Sequence, residues 1–166
     1  YDPVEGTTIA EAEVERLSRK TKLVDVRWSV TGDPKHEPVI ISTTRPELIC
    51  ACGIVLVHPD DSRYQHLVGK SLDLPLPTAG RSKSVEVKAH PSVNMEFGSG
   101  VLMVCSFGDQ NDVAVFRELG LTPFQAIDLE GKITELGDSL SGMLVLDARK
   151  KAIEILESKD KIENLV

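Results

Sequence analysis

The stretch CSFGDQND, from Cys105 to Asp112, brings a thiol, a hydroxyl and two carboxylates close together. Asp109 stands where a helix N-cap belongs, and Asp112 falls in the first turn that would follow. Carboxylates at these positions accept hydrogen bonds from free backbone N–H groups and complement the helix dipole. A carboxylate at the end of an apolar strand could also hold a substrate ammonium group. The two interpretations are compatible, because one carboxylate can cap the helix while the other faces outward.

The same stretch contains two candidate nucleophiles, the Cys105 thiol and the Ser106 hydroxyl. Neither lies in the G-x-S-x-G turn that exposes the serine of many hydrolases, and no histidine is near them in sequence. The other cysteines, Cys50 and Cys52, do not supply the ligand number and spacing of a zinc site. An odd, low number of cysteines is typical of a reduced intracellular protein, and we interpret them as small buried hydrophobic residues.

The stretch STTRPEL, residues 42–48, places two hydroxyl groups and a guanidinium at the end of a predicted strand. Pro46 ends the backbone pairing and fixes the turn. The planar fork of Arg45 suits a phosphate or a carboxylate. The alternative is a turn in which Thr43 and Thr44 bond to nearby backbone groups and the arginine is merely exposed.

A glycine corner precedes the apolar strand that leads to CSFGDQND. It has the sequence FGSG and consists of Phe97, Gly98, Ser99 and Gly100. Glycine permits positive φ and a close approach to the backbone. The corner lacks the strand–turn–helix setting of a dinucleotide-binding loop, and no Gly-Lys-Ser/Thr follows it. From the pattern alone, a structural turn is the better interpretation.

Composition excludes several classes of protein. The 166 residues suit one domain with a substantial core. Aromatic residues make up only 4%, so the core must depend on Val, Leu and Ile. The net charge of −7 argues against binding nucleic acid by charge alone. No apolar run approaches the roughly 20 residues that span a bilayer, and no secretory signal pattern opens the chain. We therefore expect a cytoplasmic protein without membrane contact.

Apolar periodicity predicts the elements that carry these stretches. A capping box before an apolar stripe predicts a helix over 9–20. Alternation predicts strands over 23–30 and 38–44, which could form a hairpin. A more buried strand is expected over 49–59, followed by a short helix near 60–68.

The second half of the chain predicts two short strands around a loop at 77–83 and a strand before CSFGDQND. A helix is expected from Asp109 to Gly120, then a strand over 123–128 and a final helix capped by Asp147. Strict strand–helix alternation is absent, which argues against a doubly wound parallel sheet. We expect an α+β fold, with a curled mixed sheet or small β-barrel and peripheral helices.

The order of these pieces is more specific than any one of them. ISTTRPELICACGIVLVHPDDSRYQHLVGK, VNMEFGSGVLMVCSFGDQNDVAVFRELGL, IDLEGKI and GMLVLDARKKAIEIL together resemble the editing (connective polypeptide, CP1) domain of class I aminoacyl-tRNA synthetases. The match is greatest to the valyl enzymes of the archaeal branch, with FGD where many members have AHD. Leucyl and isoleucyl types are the alternatives. The resemblance implies a single domain over residues 1–166, inserted in a larger synthetase.

The resemblance implies a hydrolase that removes threonine from mischarged tRNA(Val). The valyl enzymes are the established case in which a hydrophobic pocket rejects threonine by only about 10², so a second site must hydrolyse the error. We expect water to attack the aminoacyl ester without a covalent enzyme intermediate. Pre-transfer editing, and a binding module for an amino acid or adenosine without catalysis, remain alternatives.

The resemblance also implies the partners and cofactors. The partners are the 3′ end of tRNA(Val) carrying threonine and the remainder of the synthetase chain, which would provide most phosphate contacts. No metal and no cofactor are expected in this domain, since ATP is used elsewhere in the parent enzyme.

Residue roles follow from matching the motifs. Asp112 matches the acid that binds the substrate α-amino group, and Asp109 matches an acid that orients water, caps the helix or does both. Thr43 and Thr44 match the strand end that lines the ester and helps to position water. Arg45 matches an arginine near the terminal adenosine or phosphate. The FGSG corner matches the segment that packs on the terminal adenosine.

Two positions depart from the family pattern. Leu48 stands where the motif often has threonine, and Met103 stands where many bacterial relatives have lysine. Recognition of the side-chain hydroxyl must therefore differ. Ser106, Asp109 or a backbone group could supply it instead.

Overall fold

The computed structural model describes residues 21–166. The helix predicted over 9–20 lies outside these residues. The described part has seven strands: β1 (Val24–Trp28), β2 (Val39–Thr43), β3 (Cys52–Val57), β4 (Ser71–Asp73), β5 (Ser84–Ala89), β6 (Val101–Cys105) and β7 (Ile162–Leu165). It has two α-helices, α1 (Gln110–Glu118) and α2 (Val145–Ser158), and 3-10 helices at Pro46–Ala51, Gln65–Leu67 and Glu135–Leu140.

The strands form two curled sheets. The first has the order β2-β1-β7 and is antiparallel, so the predicted hairpin of β1 and β2 is confirmed. The second has the order β4-β5-β3-β6, in which β3 and β5 are parallel and the other pairs antiparallel. An isolated bridge between Val30 and Leu72 joins the sheets, which stay unclosed in the described part of the chain. The predicted α+β class is confirmed, with curled sheets rather than a closed barrel.

Burial of aliphatic side chains explains the arrangement. Alternate residues of β1, Val24, Val26 and Trp28, are fully buried, as the apolar–polar alternation predicts. They share the main core with β2, β3 and the inner face of α2. A second cluster forms beneath α1, where Phe116 packs on β3. Gly53 in β3 leaves room for that ring, because a Cβ there would collide with it.

The prediction of a helix near 60–68 is wrong. The structure has turns there and only the short 3-10 helix Gln65–Leu67. The Asp61 carboxylate folds back on Arg63, accepting hydrogen bonds from its backbone N–H at 3.1 Å and from its guanidinium at 2.9 and 2.7 Å. The Tyr64 hydroxyl donates to the Ser99 carbonyl at 2.7 Å. Tertiary bonds to the glycine corner have overridden the local helix pattern.

The strand predicted over 49–59 begins too early. Pro46 opens a buried 3-10 helix that runs to Ala51, and β3 starts only at Cys52. Proline is favoured in the first turn of a helix, because its missing N–H has no partner to lose there. Cys50 and Cys52 therefore do not share one strand face. Both are buried, as expected of small hydrophobic residues.

Three predictions in the last part of the chain also differ. Residues 123–128 contain only the isolated bridge of Ile127 with Ile133, so the predicted strand is absent there. The N-cap of α2 is Leu144, which makes no side-chain cap, and Asp147 lies in the first turn. Strand β7 was not predicted, because its sequence IENL is largely polar. It forms through pairing with β1.

No helix within residues 21–166 is long and apolar enough to cross a membrane.

Candidate functional site

The ends of β2 and β6 and the start of α1 surround a cavity of about 230 Å³. Seven residues singled out from the sequence line it: Thr43, Thr44, Arg45, Phe97, Cys105, Asp109 and Asp112. The two departures from the family pattern, Leu48 and Met103, line it as well. The stretches STTRPEL and CSFGDQND, far apart in sequence, thus meet at one site.

Asp112 is the half-buried carboxylate of this cavity. Its Oδ2 accepts a hydrogen bond from the Cys105 N–H at 3.2 Å. Burial, followed by the negative charge of Asp109, raises the pKa of Asp112 to about 6, against the opposing effects of the Cys105 N–H and Arg45. Gly108 makes this position accessible, since a Cβ there would collide with Asp112 Oδ2. The cavity therefore contains a carboxylate that ionises close to neutral pH.

Asp109 is the N-cap of α1, as predicted. Its backbone is extended, and its Oδ1 accepts a hydrogen bond from the Asp112 N–H at 2.8 Å. The cap fixes the first turn of the helix and with it the position of Asp112. Because Asp109 is exposed and also lines the cavity, capping and contact with a ligand are compatible.

Arg45 links the strand end to the loop before α1. Its Nη1 donates to the Gly108 carbonyl at 3.2 Å, and its backbone N–H donates to Thr43 Oγ1 at 3.0 Å. The local Thr43 turn, which the sequence offered as an alternative to function, is therefore present. It does not remove the threonine from the cavity, which Thr43 and the exposed Thr44 both line.

The glycine corner holds Phe97 at the cavity rim. Gly98 and Gly100 have φ of 55° and 81°, values that glycine adopts without strain. A Cβ at Gly98 would come within 2.8 Å of Ser42, so the corner packs tightly against the end of β2. Phe97 itself is 66% exposed and lines the cavity. Gly98, Ser99 and Gly100, the other residues of the corner, do not line it.

Ser106, which the sequence offered as a contact for the substrate hydroxyl, lies outside the cavity. It is buried, and its Oγ donates to the Ala51 carbonyl at 3.3 Å and accepts from the Phe124 N–H at 2.7 Å. The hydroxyl is occupied in fastening the loop after β6. Ser106 therefore does not line the cavity, and it cannot replace the missing threonine in contact with a substrate.

The cysteines have the properties of packing residues. All three are buried, and burial raises the pKa of Cys50 to about 11. A hydrogen bond with Cys52, together with burial, raises the pKa of Cys105 well above its ordinary value. A thiol that resists ionisation is a poor nucleophile. Within residues 21–166, no three His, Cys, Asp or Glu side chains are grouped to hold a metal ion.

Glu47 and Arg149 are two residues near the site that the sequence did not indicate. Glu47 is fully buried, and the Arg149 guanidinium on α2 donates to both of its oxygens at 2.8 to 3.2 Å. Glu47 belongs to the STTRPEL stretch, but its partner follows 102 residues later. An arginine in an amphipathic helix carries no local signal of such a contact.

Sequence comparison now adds a second line of evidence. The chain is 42% identical over 154 residues to a valine–tRNA ligase of Thermoplasma acidophilum, covering 93% of this chain. It is 44% identical over 158 residues to that of Methanopyrus kandleri, and 36% over 165 residues to that of Nanoarchaeum equitans. The chain is related to one segment of the archaeal valine–tRNA ligases. The resemblance expected from the motifs is confirmed.

The extent of this relation is limited. The chain covers 18%, 17% and 21% of the lengths of these three ligases. No family model matches the chain.

Solved structures agree on the fold. A ternary complex of the Agrobacterium radiobacter K84 agnB2 leucyl-tRNA synthetase with tRNA and LeuAMS matches 88% of this chain, with a TM-score of 0.67 and 16% identity. The CP1 domain GlLeuRS-CP1 matches 85% of this chain and 97% of its own, with a TM-score of 0.65 and 9% identity. The valyl-type segment thus has the fold of the CP1 editing domains of class I synthetases.

Proposed function

We propose that this valyl-type segment hydrolyses the ester of threonyl-tRNA(Val), as a domain of residues 1–166 inserted in a larger synthetase. The observation that carries the proposal is the cavity in which Asp112, Asp109, Thr43 and Thr44 meet beside Arg45. This arrangement offers an anion for an ammonium group, hydroxyls for a water molecule and a cation for a phosphate. An aminoacylated tRNA end presents an ammonium group and a phosphate, and hydrolysis of its ester requires a water molecule.

In the proposed mechanism, the ionised Asp112 binds the α-ammonium group of the misplaced amino acid. Thr43, Thr44 and Asp109 position a water molecule against the ester carbonyl. Such positioning supplies a large part of the rate enhancement, because it removes the entropic cost of bringing water to the carbon. No covalent enzyme intermediate forms, in keeping with the buried, protonated thiols. The reaction needs no metal and no cofactor within this domain.

Arg45 and Phe97 bind the nucleotide part of the substrate. The exposed Phe97 ring offers a face on which the terminal adenine can stack, and such stacking is worth about 1–3 kcal/mol per base. The Arg45 guanidinium takes the terminal phosphate. The partners of the domain are therefore the 3′ end of tRNA(Val) and the remainder of the synthetase, whose other surfaces bind the body of the tRNA.

Selection of threonine falls to Asp109. Leu48 and Met103 make the neighbouring wall of the cavity apolar, so they accommodate a methyl group but do not hydrogen-bond a hydroxyl. Asp109 uses Oδ1 in the helix cap and has a second oxygen to accept from the threonine hydroxyl. Valine lacks that donor and forgoes this hydrogen bond, so we expect it to bind more weakly than threonine.

The decisive test replaces Asp112 by asparagine in the whole protein that carries this segment. Asparagine keeps the size of the side chain and an acceptor for the Cys105 N–H, but has no charge for the ammonium group. Hydrolysis of threonyl-tRNA(Val) should fall by about 10- to 100-fold, the value of one charge-assisted hydrogen bond. Asp60→Asn is the matched control, because the Asp60 side chain is 85% exposed and outside the cavity.

The outcomes separate the alternatives. If the unaltered protein leaves threonyl-tRNA(Val) intact but deacylates a mischarged leucine or isoleucine tRNA, the valyl assignment of the substrate is wrong. If it binds an adenosine analogue of the charged end without hydrolysing any ester, the site is a binding module. Equal losses in Asp112→Asn and Asp60→Asn would show that Asp112 has no special part in the reaction.

A further inference from the structure

A buried ion pair lies directly behind the cavity, between the 3-10 helix Pro46–Ala51 and α2. The Glu47 side chain is 0% exposed, and the Arg149 side chain is 22% exposed. Arg149 Nη2 donates to Glu47 Oε1 at 2.8 Å, and Arg149 Nε lies 3.1 and 3.2 Å from the two oxygens. A carboxylate so deeply buried requires a paired charge, since removing it from water is costly. Arg149 supplies that charge.

The pair does not end at Glu47. The same oxygen, Oε1, lies 3.5 Å from Arg45 Nε. At its other end, Arg45 donates from Nη1 to the Gly108 carbonyl at 3.2 Å. Gly108 in turn is the residue against which the Asp112 carboxylate packs. A series of polar contacts therefore runs from α2 through Glu47 and Arg45 to the Gly108 carbonyl, and Gly108 lies against the Asp112 carboxylate.

Arg45 depends on this series for its orientation. Its side chain is 36% exposed, so without an anchor the long guanidinium arm can turn into solvent. Glu47 provides the anchor at Nε while the Gly108 carbonyl receives Nη1. Glu47 can do so only if its own carboxylate is fixed. Arg149 donates from Nη2 to Oε1 and from Nε to Oε2, and this two-point contact fixes both the position and the plane of the carboxylate.

We propose that Arg149 and Glu47 are positioning residues of the editing site, and that they act through Arg45. The inference rests on the proposed function for its consequence in catalysis, although the orientation of Arg45 can be measured without activity. It assigns a role at the site to α2, which contributes no residue to the cavity wall among those described. Neither residue touches the substrate.

A double-mutant cycle in the whole protein tests this inference. Arg149→Met, Arg45→Met and the double variant are compared by kcat and KM for threonyl-tRNA(Val). Arg149→Met should lower kcat/KM by about tenfold, within the usual coupling of contacting residues. The loss should fall mainly on KM, because Arg45 binds the nucleotide. In the Arg45→Met background, adding Arg149→Met should lower kcat/KM by less than about twofold, because the guanidinium that Arg149 helps to orient is already absent.

Two further variants refine the cycle. Arg149→Lys keeps the charge but loses the planar two-point contact, so its kcat/KM should lie between the wild type and Arg149→Met. Arg27→Met is the matched control, because Arg27 forms exposed ion pairs with Glu163 and Asp160 and contacts no part of the cavity. It should leave kcat/KM unchanged. Thermal denaturation of every variant accompanies the kinetics, and Glu47→Gln replaces Arg149→Met in the cycle if the methionine variant does not fold.

The results distinguish this inference from the proposed function. If the wild type hydrolyses the ester but the losses in the cycle add, Arg149 has only a structural part and the inference is overturned. If the wild type hydrolyses no aminoacyl ester, the proposed function fails. The inference is then decided by a crystal structure of Arg149→Met, or of Glu47→Gln if the methionine variant does not fold. Release of Arg45 Nη1 from the Gly108 carbonyl supports it, and retention of that bond overturns it.

Discussion

At the scale of single residues, the proposed function depends on one carboxylate, that of Asp112. Asp112 must be ionised to bind an ammonium group, yet burial and the nearby Asp109 raise its pKa to about 6. The same partial burial strengthens an ion pair with the ammonium group, because water screens it less there. A bound ammonium would favour the charged form and lower the pKa again. At acidic pH, Asp112 is therefore protonated in the free protein, and it must lose that proton before the ammonium group can bind.

This position of the pKa predicts the pH dependence of hydrolysis. Above about pH 6, Asp112 is ionised, so kcat/KM should no longer rise with pH on account of this group. Below that pH, the carboxyl is protonated, and kcat/KM should fall tenfold for each further pH unit. The measurement is kcat/KM for threonyl-tRNA(Val) between pH 4.5 and 7.5, roughly the range over which a carboxyl of this pKa titrates. An acidic limb near pH 4, the value of an ordinary aspartate, would contradict the prediction.

At the scale of secondary structure, α1 both carries Asp112 and is started by Asp109. One carboxylate thus has two separable effects: it caps the helix at 2.8 Å, and its charge raises the pKa of its neighbour. Substitutions at position 109 can separate the capping effect from the charge effect. Serine at position 109 keeps an N-cap oxygen without the charge, whereas alanine removes both.

Asp109→Ala should lower the free energy of unfolding by about 1 kcal/mol, the usual value of an N-cap, and Asp109→Ser should retain most of it. Both variants remove the charge, so both should move the acidic limb of kcat/KM to lower pH, because the Asp112 carboxylate loses a repulsive neighbour. Urea denaturation and pH profiles of the two variants provide the measurements. Equal destabilisation by serine and alanine would show that the cap contributes little, and an unmoved limb would show that the two charges do not interact.

Patterns within a short stretch of sequence predicted those strands and helices that are determined by that stretch. The alternation of VDVRW gave β1, and an aspartate before QNDVAVFRE together with Gly120 gave α1. The same kind of signal failed at residues 60–68, where Arg63 and Tyr64 bond to the distant Met95 and Ser99 carbonyls. It also failed at β7, which is polar and exists through its pairing with β1.

The cavity shows the same division between local and distant causes. The motifs indicated Thr43, Arg45, Phe97 and Asp112, because their order along the chain resembles a family. Spacing could not show that Ser106 turns inward to Ala51 and Phe124. Nor could it pair Glu47 with a side chain on α2, since that contact exists only after two sheets and a helix have packed.

At the scale of the whole molecule, the charge distribution limits what the segment can bind. The sequence has 19 Lys and Arg against 26 Asp and Glu, a net charge of −7. Such a chain repels the phosphate backbone of a tRNA at long range. The proposed site compensates locally, with Arg45 at the cavity. Under the proposed function, most of the affinity for the tRNA body would come from other surfaces of the synthetase.

This division of labour predicts a shallow salt dependence for residues 1–166 acting on a short threonylated 3′-end oligonucleotide. Each phosphate neutralised on a single strand contributes about −0.7 to the slope of log K against log salt. One contact, through Arg45, should therefore give a slope near −0.7 in kcat/KM, and Arg45→Met should bring it close to zero. Arg27→Met, which removes an equal charge far from the cavity, should leave the slope unchanged. A slope of about −3 would instead require four or more phosphate contacts, and with them an extended RNA-binding face that the acidic composition argues against.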